Sequence, residues 1–467
     1  MFLSRSLRFA AVLLVSLMFS GPLSALSTDP QGDIDSFVRM LREDKRVDML
    51  GYLVFLRTPT SRETEDRVFG LAGKVVLGNA EGYMTHVNFT RLERIRKAGF
   101  PISIIDKKRL NDRKEFWYLT LVNSPEKERV LREKFEPLWK HGHTIVIRIR
   151  PEDEAHLADN QIMYSRVEET LLPLCKPAKA PVKIKVEVNP DVQKLLELIT
   201  AEEMTSIVQS LENCVSRHVR YPGNASGTRW LAEEFAKLPG LEVATPTFTY
   251  STGPLSNVVA IKKGVQEPNT VFVVCGHIDS TVGWSGGANA PGADDNGTGA
   301  AGVLQIARAL RDVQLPYTVV FAGMNAEEVG LIGSKALAKK MAAEQGQTIQ
   351  AVFNMDMIAD RDDNEVAVIG NTRSNWLIDV FKDAALAYTG LKSKTLYDSD
   401  IWQSDHSSYW NIGVSAILTI EGYPEMSAYY HKPTDLVINL VPAFMERIAR
   451  SNLAALLTLN PPMKKQD

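Results

Sequence analysis

Two textures of hydrophobic patterning divide the chain. In its C-terminal half, short apolar runs alternate with segments whose apolar residues recur at helical spacing. "VVAIKKG", "NTVFVVCGH", "PYTVVFAGMNA", "QAVFNMDMI" and "VSAILTIEGY" read as strands. Between and after them, "GAAGVLQIARALRD", "SKALAKKMAAE", "NWLIDVFKDAALAY" and "PAFMERIARSNLAALL" read as helices. Strands apolar throughout, alternating with amphipathic helices, predict an α/β fold: a mostly parallel central sheet with helices on both faces. Sites in such sheets form at the carboxyl ends of the strands.

The N-terminal half has a different pattern. "YMTHVNFTRLERIRKAGFPISIID" (83–106) and "TIVIRIRPEDEAHLADNQIMYSRVE" (144–168) share one outline: a strand, a polar break, a short helix, a strand. "MLGYLVFLR" and "FWYLTLV" add further strands. Residues 26–170 thus read as a small α+β domain with a repeated outline, an independent accessory or pro-domain. No metal or nucleophile constellation appears there, and His141 and His143 read as surface residues. The proline- and lysine-rich stretch 171–188 reads as a linker, and 189–462 as a second, larger domain.

The first 25 residues have a separate character. Arg5 and Arg8 precede the apolar run Phe9–Phe19, which Gly21 and Pro22 break. This is the form of a signal peptide cleaved after Ala25, and the run is too short to span a bilayer. No later segment is long and apolar enough for a membrane helix. The expected product is exported, periplasmic or extracellular, with no membrane anchor in its mature form.

Composition narrows the reading. A chain of 467 residues is long enough for roughly two or three domains. Its net charge of -3 points to neither nucleic acid nor an anionic membrane surface. Three cysteines, Cys175, Cys214 and Cys275, cannot form a disulfide framework. Cys275 reads as a core thiol, and the spacing leaves a Cys175–Cys214 bridge open.

The chemistry gathers at the strand ends. "CGHIDST" carries His277 and Asp279, and "APGADDNGTG" carries Asp294 and Asp295 before a helix. "NAEEVG" places Glu327 and Glu328 after the next strand, the strand after that ends in "NMDMI" with Asp356, and "YYHKPTDL" brings His431. Singly, each has an ordinary explanation: the aspartates as helix caps, the glutamates as a solvated turn. Together they form a nitrogen–oxygen donor set that suits Zn²⁺ ahead of Co²⁺ or Mn²⁺. There are enough donors for two ions sharing a bridging carboxylate, held about 3.5–4 Å apart as in two-metal hydrolytic sites. Spacing alone does not choose between Asp294 and Asp295 as the bridge.

Five motifs, "GHIDST", "APGADDNGTG", "NAEEVGLIGS", "NMDM" and "HKPTD", occur in one order. Through them the region from Val186 to Leu459 resembles the zinc exopeptidase family of the secreted bacterial leucyl aminopeptidases. Glutamate carboxypeptidase and glutaminyl cyclase are relatives of that family. The resemblance implies that His277 and Asp356 bind one zinc, Glu328 and His431 the other, and that Asp295 bridges them. It implies that Asp279 orients His277, that Glu327 is the general base and acid, and that the Asp295–Asn296 peptide bond is cis. Peptides are the implied substrates, entering an apolar pocket beside Met357. Aminopeptidase action is the leading expectation. A carboxypeptidase or dipeptidase of the same family is the alternative, followed by a glutaminyl cyclase or a metal-free binding domain. Ser404 or Asp405 in "SDHSSYWNIG" is expected to cap a helix rather than bind metal. The sequons at Asn88, Asn224 and Asn296 read as chance matches.

Overall fold

The computed structural model describes residues 50–463, apart from 59–60, 80, 110–113, 161, 168–183, 252, 284–285, 345, 362, 398–400 and 424–426. The expected signal peptide and Cys175 lie outside the described residues, as does the linker up to residue 183.

Residues 50–166 repeat one topology. The first half runs β1 (Leu50–Arg57), α1 (Arg62–Ala72), β2 (Leu77–Asn79), β3 (Gly82–Asn88), α2 (Phe89–Lys97) and β4 (Ile102–Arg109). The second runs β5 (Phe116–Leu121), α3 (Pro125–Lys134), β6 (Trp139–His141), β7 (Thr144–Ile149), α4 (Glu154–Asp159) and β8 (Met163–Arg166). The sheets are ordered β2-β3-β1-β4 and β6-β7-β5-β8, the same arrangement twice. The two stretches of shared outline are β3-α2-β4 and β7-α4-β8. Local capping starts the helices: Ser61, Asn88 and Ser124 each accept a main-chain N–H three residues on.

The second fold begins with three helices, α5 (Pro190–Leu196), α6 (Ala201–Glu212) and α7 (Pro222–Ala236). Strands β9 (Glu242–Ala244), β10 (Thr247–Tyr250), β11 (Gly253–Ser256), β12 (Val258–Lys262) and β13 (Glu267–His277) follow. Then come α8 (Gly299–Leu310), β14 (Tyr317–Met324), α9 (Ile332–Ala343), β15 (Thr348–Met355) and β16 (Glu365–Gly370). The chain ends with α10 (Asn375–Thr389), β17 (Lys392–Tyr397), α11 (His406–Trp410), β18 (Ala416–Glu421) and α12 (Pro442–Leu459). The eight-stranded sheet has the order β17-β16-β18-β15-β13-β14-β12-β9. Its centre, β18-β15-β13-β14, is parallel. Towards the edges, β12 runs antiparallel to β14 and β16 antiparallel to β18.

The run "VFVVC" in β13 shows why the strand is apolar throughout. Phe272 and Val274 point into a cluster covered by α6, α7, α8, α10 and α12. Val271, Val273 and Cys275 point the other way, onto Leu337 and Met341 of α9 and Trp410 of α11. Among the described residues, no helix is long and apolar enough to cross a membrane.

The core makes a test away from the strand ends. Phe381 in α10 has no exposed surface. Phe381→Ala should cost about 3–5 kcal/mol in urea unfolding while the zinc content of the folded protein stays unchanged. A loss under about 1 kcal/mol would mean that this face is not packed as described.

Candidate metal centre

The strand ends of the parallel centre meet in one buried cluster. β13 ends at His277, whose Nδ1 donates to the main-chain carbonyl of Asp279 at 3.0 Å. That bond leaves Nε2 facing inward, 3.1 Å from Asp295 Oδ1 and 3.3 Å from Asp356 Oδ1. On the other side, His431 Nε2 lies 3.1 Å from Asp295 Oδ2 and 3.1 Å from Glu328 Oε2. Asp295 therefore turns one oxygen to each histidine. Donor atoms of His277, Asp295 and Asp356 lie within 4.8 Å of one another, as do those of Asp295, Glu328 and His431. Glu327 approaches from a third direction, its Oε2 4.0 Å from His277 Nε2.

Geometry separates the two aspartates that spacing could not. Asp294 Oδ1 accepts the N–H of Ala359 at 3.0 Å and the hydroxyl of Thr298 at 3.3 Å. Burial pushes its carboxyl up to about 8, beside Glu421. It tethers a neighbouring loop, while Asp295 faces both histidines. The Asp295–Asn296 peptide bond is cis, as the resemblance implied.

The Asp279 carboxylate has a different contact from the one expected. Its Oδ1 stands 3.6 Å from His277 Nδ1. Its two oxygens accept the N–H groups of Glu327 and Glu328, each at 3.1 Å. Asp279 thus orients His277 through its main chain and pins the glutamate turn through its side chain. Neither Ser404 nor Asp405 caps a helix with its side chain: Asp405 occupies the N-cap position of α11 without such a bond. Ser404 Oγ instead donates to Asp356 Oδ2 at 2.6 Å and accepts from Asn354 Nδ2 at 2.7 Å.

Two supports were not singled out from the sequence. Asp435, the last residue of "HKPTD", accepts the N–H of Asp294 at 2.8 Å and of Asp295 at 3.0 Å. Its distance from His431 within one motif was the available signal. Arg217 is fully buried. It donates to the carbonyls of Ile278 at 2.8 Å, Pro291 at 2.5 Å and Gly292 at 2.7 Å. It thereby ties the end of β13 to the loop that carries Asp295. No periodicity or spacing marks it.

Close backbone approach completes the frame. A Cβ on Gly299 would sit 2.3 Å from the Met355 carbonyl, so only glycine lets α8 start against the end of β15. Ala326 (φ 60°), Met357 (φ 53°) and His431 (φ 55°) all hold left-handed backbone at or beside site residues. Such conformations cost about 1–3 kcal/mol each and cluster at functional sites. Asn224 and Asn296 are buried. Asn224 exchanges amide hydrogen bonds with Asn325 at 2.8 and 3.0 Å, a setting with no room for a glycan.

The donor set fits a cation. Burial pushes the Glu327 carboxyl well up. It also raises Glu328 to about 7, helped by the neighbouring Asp295 charge. Burial alone would lower His431, but the charges and hydrogen bonds of Glu328 and Asp295 raise it to about 10. Burial works against the Asp295 carboxylate too, yet hydrogen bonds from His277 and His431 hold it well below the usual range. Glu328 Oε1 is buried without a hydrogen-bond partner. Buried carboxylates at such distances are stable together only with positive charge among them, supplied by protonated imidazoles or by a bound cation to which the imidazole nitrogens are donors.

Comparison with known proteins agrees with this chemistry. Residues 257–456 match peptidase family M28. Aminopeptidase YwaD of Bacillus subtilis is 29% identical over 198 residues, which span 41% of this chain and 41% of the relative. Leucine aminopeptidase 1 of Paracoccidioides brasiliensis is 30% identical over 210 residues, spanning 41% of this chain and 52% of the relative. The chain thus spans about half, or less, of the length of these relatives. Among solved structures, the LapA aminopeptidase of Legionella pneumophila shares the fold, with a TM-score of 0.60 at 16% identity, over 74% of this chain and 98% of that one. Residues 257–456, whose histidine and carboxylate side chains gather at the strand ends, are thus similar to peptidase family M28.

Proposed function

We propose that the chain is a two-zinc aminopeptidase that removes N-terminal residues from peptides. One observation carries the reading: the Asp295 carboxylate presents one oxygen to His277 and the other to His431, at 3.1 Å each. A carboxylate so shared serves two ions better than one. His277 and Asp356 would hold the first ion, Glu328 and His431 the second, with Asp295 common to both. Relatives named as aminopeptidases support the amino-terminal direction.

When bound, zinc supplies Lewis acidity, polarising a carbonyl and acidifying water to a pKa of about 7. The protein supplies the proton traffic. Glu327 lies within reach of the cluster, its Oε2 4.0 Å from His277 Nε2, and positive charge beside it favours the carboxylate form that a base needs. It takes a proton from the attacking water and returns it to the leaving amine. Asp279 holds both glutamates by their main-chain N–H groups, so the base and the ligand keep a fixed relation. Met357, Ile401 and Ile420 form an apolar cluster, with Tyr430 packed against it and stacked on His431 at 3.8 Å. This supports an apolar pocket for the substrate side chain. Export through residues 1–25, with Arg5 and Arg8 ahead of the Phe9–Phe19 run, belongs to the same proposal.

Three outcomes follow. A mixed peptide set incubated with the protein should lose residues from the amino terminus, read by mass spectrometry. Shortening from the carboxyl terminus would replace this reading with a carboxypeptidase. Glu327→Gln should keep its zinc yet lose on the order of 10²–10⁴-fold in turnover, whereas Glu328→Gln should lose zinc first and recover partly in excess zinc. Equal zinc loss in both variants would reverse the roles of the two glutamates. Asp435→Asn should weaken zinc affinity by about 10–100-fold, the usual effect of removing a support behind a ligand. Unchanged affinity by calorimetry would remove Asp435 from the frame.

A further inference from the structure

We infer that residues 50–166 permanently brace the two loops that carry the proton-shuttle turn and the support of Asp356. Leu331 and Trp402 are the positioning residues through which they do so. The argument starts from the second repeated half. On β5 and β7, Phe116, Tyr118, Ile145 and Ile147 pack with Leu131 of α3 and Leu157 of α4. The alternate residues, Trp117, Leu119 and Val146, face the other side of the same sheet and are also buried. An antiparallel sheet that stood alone on its own helices would show that second face to water. Here it is covered. Leu53 and Phe55 of β1 and Met84 of β3 share its cluster, and so do Leu331 and Trp402 from the peptidase fold.

Those two anchors sit where the chemistry needs rigidity. Leu331 is buried with φ 62°, and its N–H donates to the Glu327 carbonyl at 2.9 Å. One turn further on, Lys335 Nζ donates to Gly330 O at 3.0 Å, to Ser165 Oγ at 2.7 Å and to Arg166 O at 3.2 Å. It stitches the end of β8 to the glutamate turn. Trp402 is buried and its Nε1 donates to Thr144 Oγ1 at 3.2 Å. Two residues later, Ser404 donates to Asp356. A third contact lies further off, where Arg373 meets Asp66 and sits 3.6 Å from Glu65. Removing residues 50–166 would expose both anchors and free both loops. Their place is within the working enzyme, not in a segment discarded on activation.

The test uses the full chain. A protease recognition sequence placed within 171–183 allows the chain to be cut after folding. The two pieces should co-elute on size exclusion and keep zinc, with kcat unchanged. If the N-terminal piece separates in native buffer and the remainder is as active or more active, the brace is wrong and the segment is inhibitory or dispensable. Trp402→Ala and Leu331→Ala provide the second arm. Amide exchange should quicken at 326–335 and 402–410. kcat should fall by on the order of 10²-fold, as misplacement of a reacting group by about 1 Å can cost, with KM little changed. Trp402→Phe should restore most of the rate. Variants with wild-type exchange and kcat would overturn the inference. The rate readout rests on the aminopeptidase reading, whereas co-elution, zinc retention and exchange do not. A protein with no peptidase activity but a stably joined, cut chain would therefore fail the function and keep the brace.

Discussion

The structure is organised around one electrostatic difficulty: several carboxylates are buried at the same end of one sheet. Asp295, Glu327, Glu328 and Asp356 are all nearly inaccessible. Each charge loses its water on burial, and each repels the next. Two histidines offset part of this, at 3.1 to 3.3 Å from the carboxylate oxygens. The remainder calls for a cation, and until one binds the backbone must hold the cluster open against its own repulsion.

Buried polar side chains do that holding, each reaching from one strand end to another. Asp279 fixes the glutamate turn, Asp435 the Asp294–Asp295 main chain, Ser404 the Asp356 carboxylate, and Arg217 the join between β13 and the following loop. Few of these contacts involve ligand side chains; most are to main-chain N–H or carbonyl groups. This explains how adjacent glutamates reach unlike surroundings. Their N–H groups share one carboxylate, while their side chains diverge, Glu328 to His431 and Glu327 towards His277. The left-handed backbone at Ala326, Met357 and His431 is the conformational cost of aiming side chains inward from such tight turns.

Legibility in the sequence followed the physical origin of each feature. The proposed ligands could be read because they end strands or lie in the loops that follow them, and the strands announce themselves as apolar runs buried on both faces. The supports could not be read in the same way. Arg217 and Asp279 act through main-chain partners, which leave no signature of residue type at the other end of the bond. Asp294 and Asp295 are adjacent and chemically equal, so only the turn of the backbone between them decides which meets the histidines. Helices α5 to α7 went unread although Met204, Ile207, Val208 and Leu211 keep helical spacing, and so did the later strands β16 and β17. In the N-terminal half, "FWYLTLV" was legible as a strand. Its lack of alternation was also a sign that both of its faces are covered, which bears on what lies against them.

The central claim is that one bridging aspartate gathers two zinc ions. Anomalous diffraction at the zinc absorption edge, on crystals of the full protein, tests it directly. The account predicts two peaks flanking Asp295, one against His277 and Asp356 and the other against Glu328 and His431. A single peak after saturation with zinc, or zinc bound away from Asp295, would contradict it.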